Sequence, residues 1–453
     1  MNRRNTLGIT DEELAEYMQV LIDQFTLSWL TGSIGHPLQL LWRRVDELAT
    51  NELFSLAYSI KRLLEIDRKW TVAQVKLVMS REKNTYQGAL FEIFALSMLH
   101  SNEHPIKPAK LNQAGFDGIL TGVSGKEMRV SIKNYGASKY QQSFEKRAAE
   151  LEVLVVQLLK KYAYLPCQVV LDFPDVYPED REWNMLLERL DDMFKQQRMS
   201  AEPFSALVEP IDPSKPAKDE NARAVFILMI YPFKDKLSSF HLKYQSYTLV
   251  ITSAYHRNEY KNLFSKLQDA CSNLAKHSAV ETDNVFNSLF IHLPDSVSLE
   301  KAVEWITQYF EMFPGKPISL VLLYQPSVVD DLEHDVSRIS NAFKVFTRED
   351  ADVGANYTLS VPVGRVSDKS SDRMLVGTFA DGRKQVFPFY DRYVYQRGKH
   401  YLRMTPDGKG GFQGNITRVG SGVYASLVVE IPGQPGSAAL SGRFAPSDEL
   451  LIL

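Results

Sequence analysis

The sequence predicts a multidomain α/β protein: a helical N-terminal region, a mixed-sheet core and a C-terminal all-β barrel or sandwich. Three observations carry that expectation. Apolar residues recur at helical spacing from about residue 10 to 83. Helix-length and strand-length apolar segments then alternate from 84 to 345. Beyond 351, short alternating strands are broken by Gly, Asp-Gly and Pro-Gly turns, with no helix-length pattern. At 453 residues the chain also exceeds what one hydrophobic core usually serves.

The elements follow in order. Thr10-Asp11-Glu12-Glu13 is a helix start, with a capping threonine, an acid three residues on and further acids in the first turn. Leu14, Met18, Leu21, Ile22 and Phe25 then fall on one buried face. A Gly-Ser-Ile-Gly-His-Pro turn at 32–37 precedes helices over about 38–48, 52–64 and 72–79. Residues 1–83 thus read as a helical cap without a chemical cluster. A helix over 86–100, two strands at 114–120 and 126–133 joined by Thr121-Gly-Val-Ser-Gly125, a helix over 140–164 and a strand at 167–173 come next. Residues 174–222, rich in Pro, Glu, Asp and Lys, read as a surface insertion. Strands at 225–231, 247–252, 288–293 and 318–324, with helices over 259–276 and 299–313, extend the same mixed core across 84–345. Residues 351–453 read as a separate all-β module.

Composition narrows the function classes. Net charge is −3, so any nucleic-acid contact must come from a local patch and not from a global basic field. The 2 cysteines, Cys167 and Cys271, lie far apart without a CxxC, which argues against zinc and disulfide frameworks and for a reducing compartment. The N-terminus lacks a signal-peptide stretch, and the longest apolar runs, 224–231 and 318–324, fall far short of the roughly 20 residues a membrane helix needs. A soluble, cytoplasmic protein without a membrane partner is expected. No phosphate-binding loop, nucleophile elbow or His-Glu-x-x-His occurs. Asp330-Asp331-Leu-Glu333-His334-Asp335 reads as a solvated helix start.

The chemistry concentrates between Gly88 and Gly136. Glu92 interrupts an apolar helix, Asp117-Gly118 ends one strand segment, and Ser131-Ile132-Lys133 ends its neighbour. Along the second strand Glu127, Arg129, Ser131 and Lys133 share one face, while Val130 and Ile132 point to the buried one. Singly, each charge reads as an ordinary solvated group, and Asp-Gly as a turn. Brought together at neighbouring segment ends, an acid and a lysine can hold a divalent cation beside a phosphate.

The order Gly-x3-Glu on a helix, Asp before a turn and x-Lys on an apolar strand resembles the PD-(D/E)XK nuclease superfamily, the restriction-endonuclease-like fold. The resemblance covers about residues 84–173. It implies that Asp117 ligates Mg²⁺ or Mn²⁺, that Lys133 polarises the phosphate or orients the attacking water, and that Glu92 completes or steers the metal site. The Ile132 carbonyl is a further ligand by the same resemblance. Where the family places a second acid, two residues before the lysine, this chain has Ser131. Three readings follow: Glu127 or Glu92 replaces the missing acid, the metal is held weakly by Asp117 and a carbonyl, or the fold is catalytically inactive. The implied function is metal-dependent hydrolysis of phosphodiester bonds in DNA or RNA, with prokaryotic restriction or antiviral defence as the family's home. The alternative is an inactive nuclease-like scaffold that binds nucleic acid or a protein partner through the C-terminal β module.

That module carries a second cluster, in which Arg392, Arg397, Lys399 and Arg403 interleave with Tyr393, Tyr395 and Tyr401. One reading stacks the tyrosines on bases and sets the cations on phosphates. The other puts the tyrosines in a small β core and leaves the cations to water.

Overall fold

The computed structural model describes residues 3–32, 35–110, 115–123, 126–164, 167–197, 226–232, 243–244, 247–277, 285–294, 297–331, 336–348, 358–370, 374–378, 384–388, 391–397, 402–406, 412–416, 424–430 and 437–443. The chain divides into two units. One comprises residues 1–136, 260–371 and 448–453, the other 137–259 and 372–447.

The first unit begins with helices α1 (Asp11–Phe25), α2 (Leu27–Leu30), α3 (Pro37–Arg43), α4 (Glu47–Ile66), α5 (Arg68–Val78) and α6 (Lys83–Leu99). The capping box expected at α1 is present: the Glu13 N–H donates to Thr10 and the Thr10 N–H donates to Glu13, worth about 1 kcal/mol. Three strands follow, β1 (Ile106–Pro108), β2 (Gly118–Val123) and β3 (Lys126–Asn134). Both neighbouring pairs among them are antiparallel. β3 then pairs in parallel with Val285–His292, which pairs in parallel with Leu320–Asp331. Val336–Thr347 and Arg365–Ser367 complete a sheet with seven strands among the described residues. Helices Tyr260–His277 and Leu299–Met312 precede the two inner parallel strands in the chain.

α6 explains how the helices meet this sheet. Tyr86, Leu90, Phe91, Ile93, Leu96 and Met98 are buried and point to several sides of the helix. They form one core with α1, α3, α4 and α5 and with Met128, Val130 and Ile132 of β3. Phe91 alone packs against Phe290, His292 and Tyr324 of the sheet. The N-terminal helices are therefore not a separate cap, because their buried faces and the sheet share a core.

In the second unit, the sheet runs Arg392–Arg397, Tyr247–Ala254, Cys167–Phe173, Ile227–Pro232, with only the central pair parallel. Helices Lys139–Lys161 and Asp180–Gln197 supply Phe144, Leu151, Val155, Trp183, Leu186 and Phe194 to its core.

Four expectations need correction. The mixed core does not run continuously through 84–345: the strand at 167–173 lies in the second sheet, and the parallel neighbour of β3 is Val285–His292, reached through helix Tyr260–His277. Both candidates for that place are short apolar strands behind a helix, so pattern alone could not choose between them. The segment 174–222 contains helix Asp180–Gln197, its apolar stripe hidden among many charges, while residues 198–222 lie outside the described residues. The module 351–453 is not separate, since Arg365–Ser367 joins the first sheet and Arg392–Arg397 the second. Asp330 and Asp331 end a strand whose antiparallel partner starts at Val336, so no helix begins there; residues 332–335 lie outside the described residues.

Candidate active site

Asp117 is fixed through its own backbone. Its N–H donates to the Val130 carbonyl at 2.8 Å and its carbonyl accepts from Ala109 at 2.9 Å, which pins it between β1 and β3. Register puts Gly118 opposite Val130, so β2 offers no strand residue opposite Ile132. The Asp117 side chain fills that gap: Oδ2 accepts from the Ile132 N–H at 2.6 Å and from the Ser131 hydroxyl at 3.5 Å. Peptide groups two apart on a strand face the same edge. The Ile132 carbonyl therefore points to the edge where the Val130 carbonyl meets Asp117. Oδ1 has no hydrogen-bond partner among the described residues.

Two glycines make the hairpin fit. Gly118 lies where a Cβ would come within 2.6 Å of the Leu96 Cδ2 on α6, so a side chain there would force that buried leucine to shift. Gly115 has a φ of 109°, and a Cβ there would sit 2.9 Å from the Cβ of His277. Leu96 and Glu92 are one helical turn apart on the same face. The contact at Gly118 thus carries Glu92 toward Asp117.

Glu92 is half-buried in α6, in a partly open stripe with Thr85 and Gly88, while Lys83 and Asn84 of the first turn are exposed and Phe94 is half-buried. A Cβ at Gly88 would meet no described residue within 4 Å. Burial, and then the charge of Asp117, push the Glu92 carboxyl up to about 7, against the opposing pull of Lys133 and of the Gln74 amide. Gln74 Nε2 donates to Glu92 Oε2 at 2.8 Å. Lys133, half-buried, forms no ion pair with a described residue. Its neighbour Asn134 is anchored to His292 across the parallel pair at 2.7 Å, which fixes the end of β3. His292 is buried, and that burial holds its imidazole down at about 3, neutral under ordinary conditions.

Glu127 is not part of this group. It pairs with Arg129 at 2.7 Å, and four strand residues, about 13 Å, separate it from position 131. The strand period placed it on the right face but at the wrong height. Asp117, Glu92, Ile132 and Lys133 do converge.

No family model, curated protein or solved structure matches the chain.

The donor set suits a hard divalent cation: the free Oδ1 of Asp117, the Ile132 carbonyl and Glu92 are all oxygens, and Mg²⁺ takes few protein ligands and keeps several waters. Among the described residues no group of three or more His, Cys, Asp or Glu side chains is placed to hold a metal. The site is therefore poor in carboxylates, with Ser131 spending its hydroxyl on Asp117.

The aromatic and cationic cluster of the second unit is built differently. Tyr393 and Tyr395 are 1% and 7% exposed, and their hydroxyls donate to Glu259 and Glu152. Arg392 pairs with Asp172 and donates to the Phe173 carbonyl at 2.8 Å. These rings belong to a core, so they offer no face to a base, and the Arg392 charge is already neutralised. Arg397 ends the same strand, Arg403 lies in strand Leu402–Pro406, and Lys399 and Tyr401 lie outside the described residues. No described helix is long and apolar enough to cross a membrane.

Sequence reasoning missed Gln74. Its signal was a glutamine in the buried stripe of α5, between Trp70, Val75 and Val78 at helical spacing.

Proposed function

We propose that the chain is a metal-dependent nuclease of the restriction-endonuclease-like kind that hydrolyses phosphodiester bonds in DNA or RNA. The observation that carries this reading is the convergence of Asp117, the Ile132 carbonyl, Glu92 and Lys133 at one end of the α6–β2–β3 packing. The order helix, hairpin, helix, parallel strand also fits, with Tyr260–His277 and Val285–His292 as its second half and residues 137–259 inserted within it.

In this reading Asp117, the Ile132 carbonyl and Glu92 hold Mg²⁺ or Mn²⁺, which when bound makes hydroxide available near neutral pH and withdraws charge from the phosphate. The Ile132 N–H keeps the Asp117 carboxylate oriented. Lys133 sets its ammonium beside the phosphate, where it offsets the charge that grows in the transition state. The Phe91, Phe290 and Tyr324 packing behind α6 keeps the site rigid. A role in restriction or defence, and recognition of substrate or a protein partner by the C-terminal strands, belong to the same proposal.

Ser131 favours a second reading, a non-catalytic scaffold that keeps the fold. Cleavage separates the two. Asp117→Ala and Lys133→Ala are each expected to abolish cutting, Lys133→Ala with little change in melting temperature and Asp117→Ala with a moderate fall, because the buried Ile132 N–H loses its acceptor. Cutting retained in either variant would remove this site from consideration.

A further inference from the structure

We propose that Gln74, brought by α5 from the N-terminal helices, is a positioning residue that aims the Glu92 carboxylate at the cation shared with Asp117. This inference rests on the nuclease reading above and deepens it.

Gln74 is 7% exposed, in a helix stripe whose other members, Trp70, Thr71, Val75 and Val78, are also buried. Its Nε2 donates to Glu92 at 2.8 Å, while its Oε1 is buried with no hydrogen-bond partner among the described residues. A buried amide oxygen left unsatisfied is costly, whereas an apolar side chain of similar volume would pack there without that cost. Glutamine at this place therefore weakens the fold locally, and the one bond it gains is to Glu92. That bond uses the NH₂ group, so it occupies Oε2 of Glu92 and fixes the direction in which the other carboxylate oxygen points. Reversing the amide would aim an acceptor at the carboxylate oxygen and strand the NH₂ instead. Partners that orient metal ligands in this way typically account for about 10–100-fold in metal affinity or activity.

A purely structural glutamine and a positioning glutamine predict opposite outcomes for Gln74→Met, which keeps the volume and removes the amide. Mn²⁺ binding by titration calorimetry and urea denaturation in EDTA would be measured on the full chain, beside Asp117→Asn and Glu92→Gln. The expected result is roughly tenfold weaker Mn²⁺ binding in Gln74→Met, with metal-free stability equal to or above that of the unaltered protein. Unchanged Mn²⁺ affinity in Gln74→Met, while Asp117→Asn loses binding, would overturn this inference and leave the nuclease reading standing. Absence of Mn²⁺ binding in the unaltered protein, or binding indifferent to Asp117→Asn, would overturn both.

Discussion

Glu92 sets the residue-scale behaviour of the site. Its carboxyl is held at about 7 in the fold against 4.5 in the open chain, chiefly by burial and then by Asp117. As pH rises between those values the unfolded chain releases its proton first, so stability is lost through that window and is flat above it. The loss amounts to roughly 3 kcal/mol. In EDTA, Glu92→Gln is therefore expected to be more stable than the unaltered protein at pH 8 and to lose that advantage at pH 4.5, as read from urea midpoints. An advantage of the same size at both values would remove the titration from the explanation. Asp117, Lys133 and Glu92 were legible through their order along the chain, since singly each reads as an ordinary solvated charge or turn. Their partners were not: Ser131 bonding Asp117 and Gln74 bonding Glu92 depend on register and helix packing, which no local period encodes.

At the scale of elements, Gly118 couples the hairpin to α6. A methyl group there would crowd Leu96, with Ile106 at 3.3 Å and Val130 at 3.4 Å, all fully or nearly fully buried. Gly118→Ala is expected to cost about 1–3 kcal/mol by overpacking and to displace α6, withdrawing Glu92 from Asp117. Weaker Mn²⁺ binding alongside a lower urea midpoint checks this; a destabilised variant with full Mn²⁺ affinity would show that the contact supports the fold only. Most helices and strands could be read to within a few residues from period, caps and turns. Thr10 predicted the start of α1, whereas Thr121 to Val123, expected in the link, belong to β2, and residues 124–125 lie outside the described residues. The predicted helix over 38–48 instead stops at Arg43 and restarts at Glu47, where Asp46 caps α4 by accepting from the Ala49 N–H at 3.1 Å.

For the whole molecule, the sequence conveyed that several α/β and β segments exist but not which sheet each joins. Strand pairing is a non-local choice among similar apolar runs. Arg392–Arg397 illustrates it: its alternation suited a stand-alone β module, yet it lies beside Tyr247–Ala254 and sends Tyr393 and Tyr395 into that unit's core. Tyr393→Ala is expected to cost about 3–5 kcal/mol and to accelerate hydrogen exchange in Tyr247–Ala254. Unchanged exchange in that strand would contradict the pairing. The central claim is that the first unit holds a cation-dependent phosphodiesterase centre. Incubating purified protein with plasmid, linear duplex, single-stranded DNA and RNA, in Mg²⁺ or Mn²⁺ against EDTA, tests it most directly, with Asp117→Ala in parallel. Cutting of at least one substrate that needs the cation and disappears in Asp117→Ala is the expected result. Cutting that persists in EDTA or in Asp117→Ala would contradict the claim, and no cutting of any substrate would turn the reading to the binding scaffold that Ser131 favours.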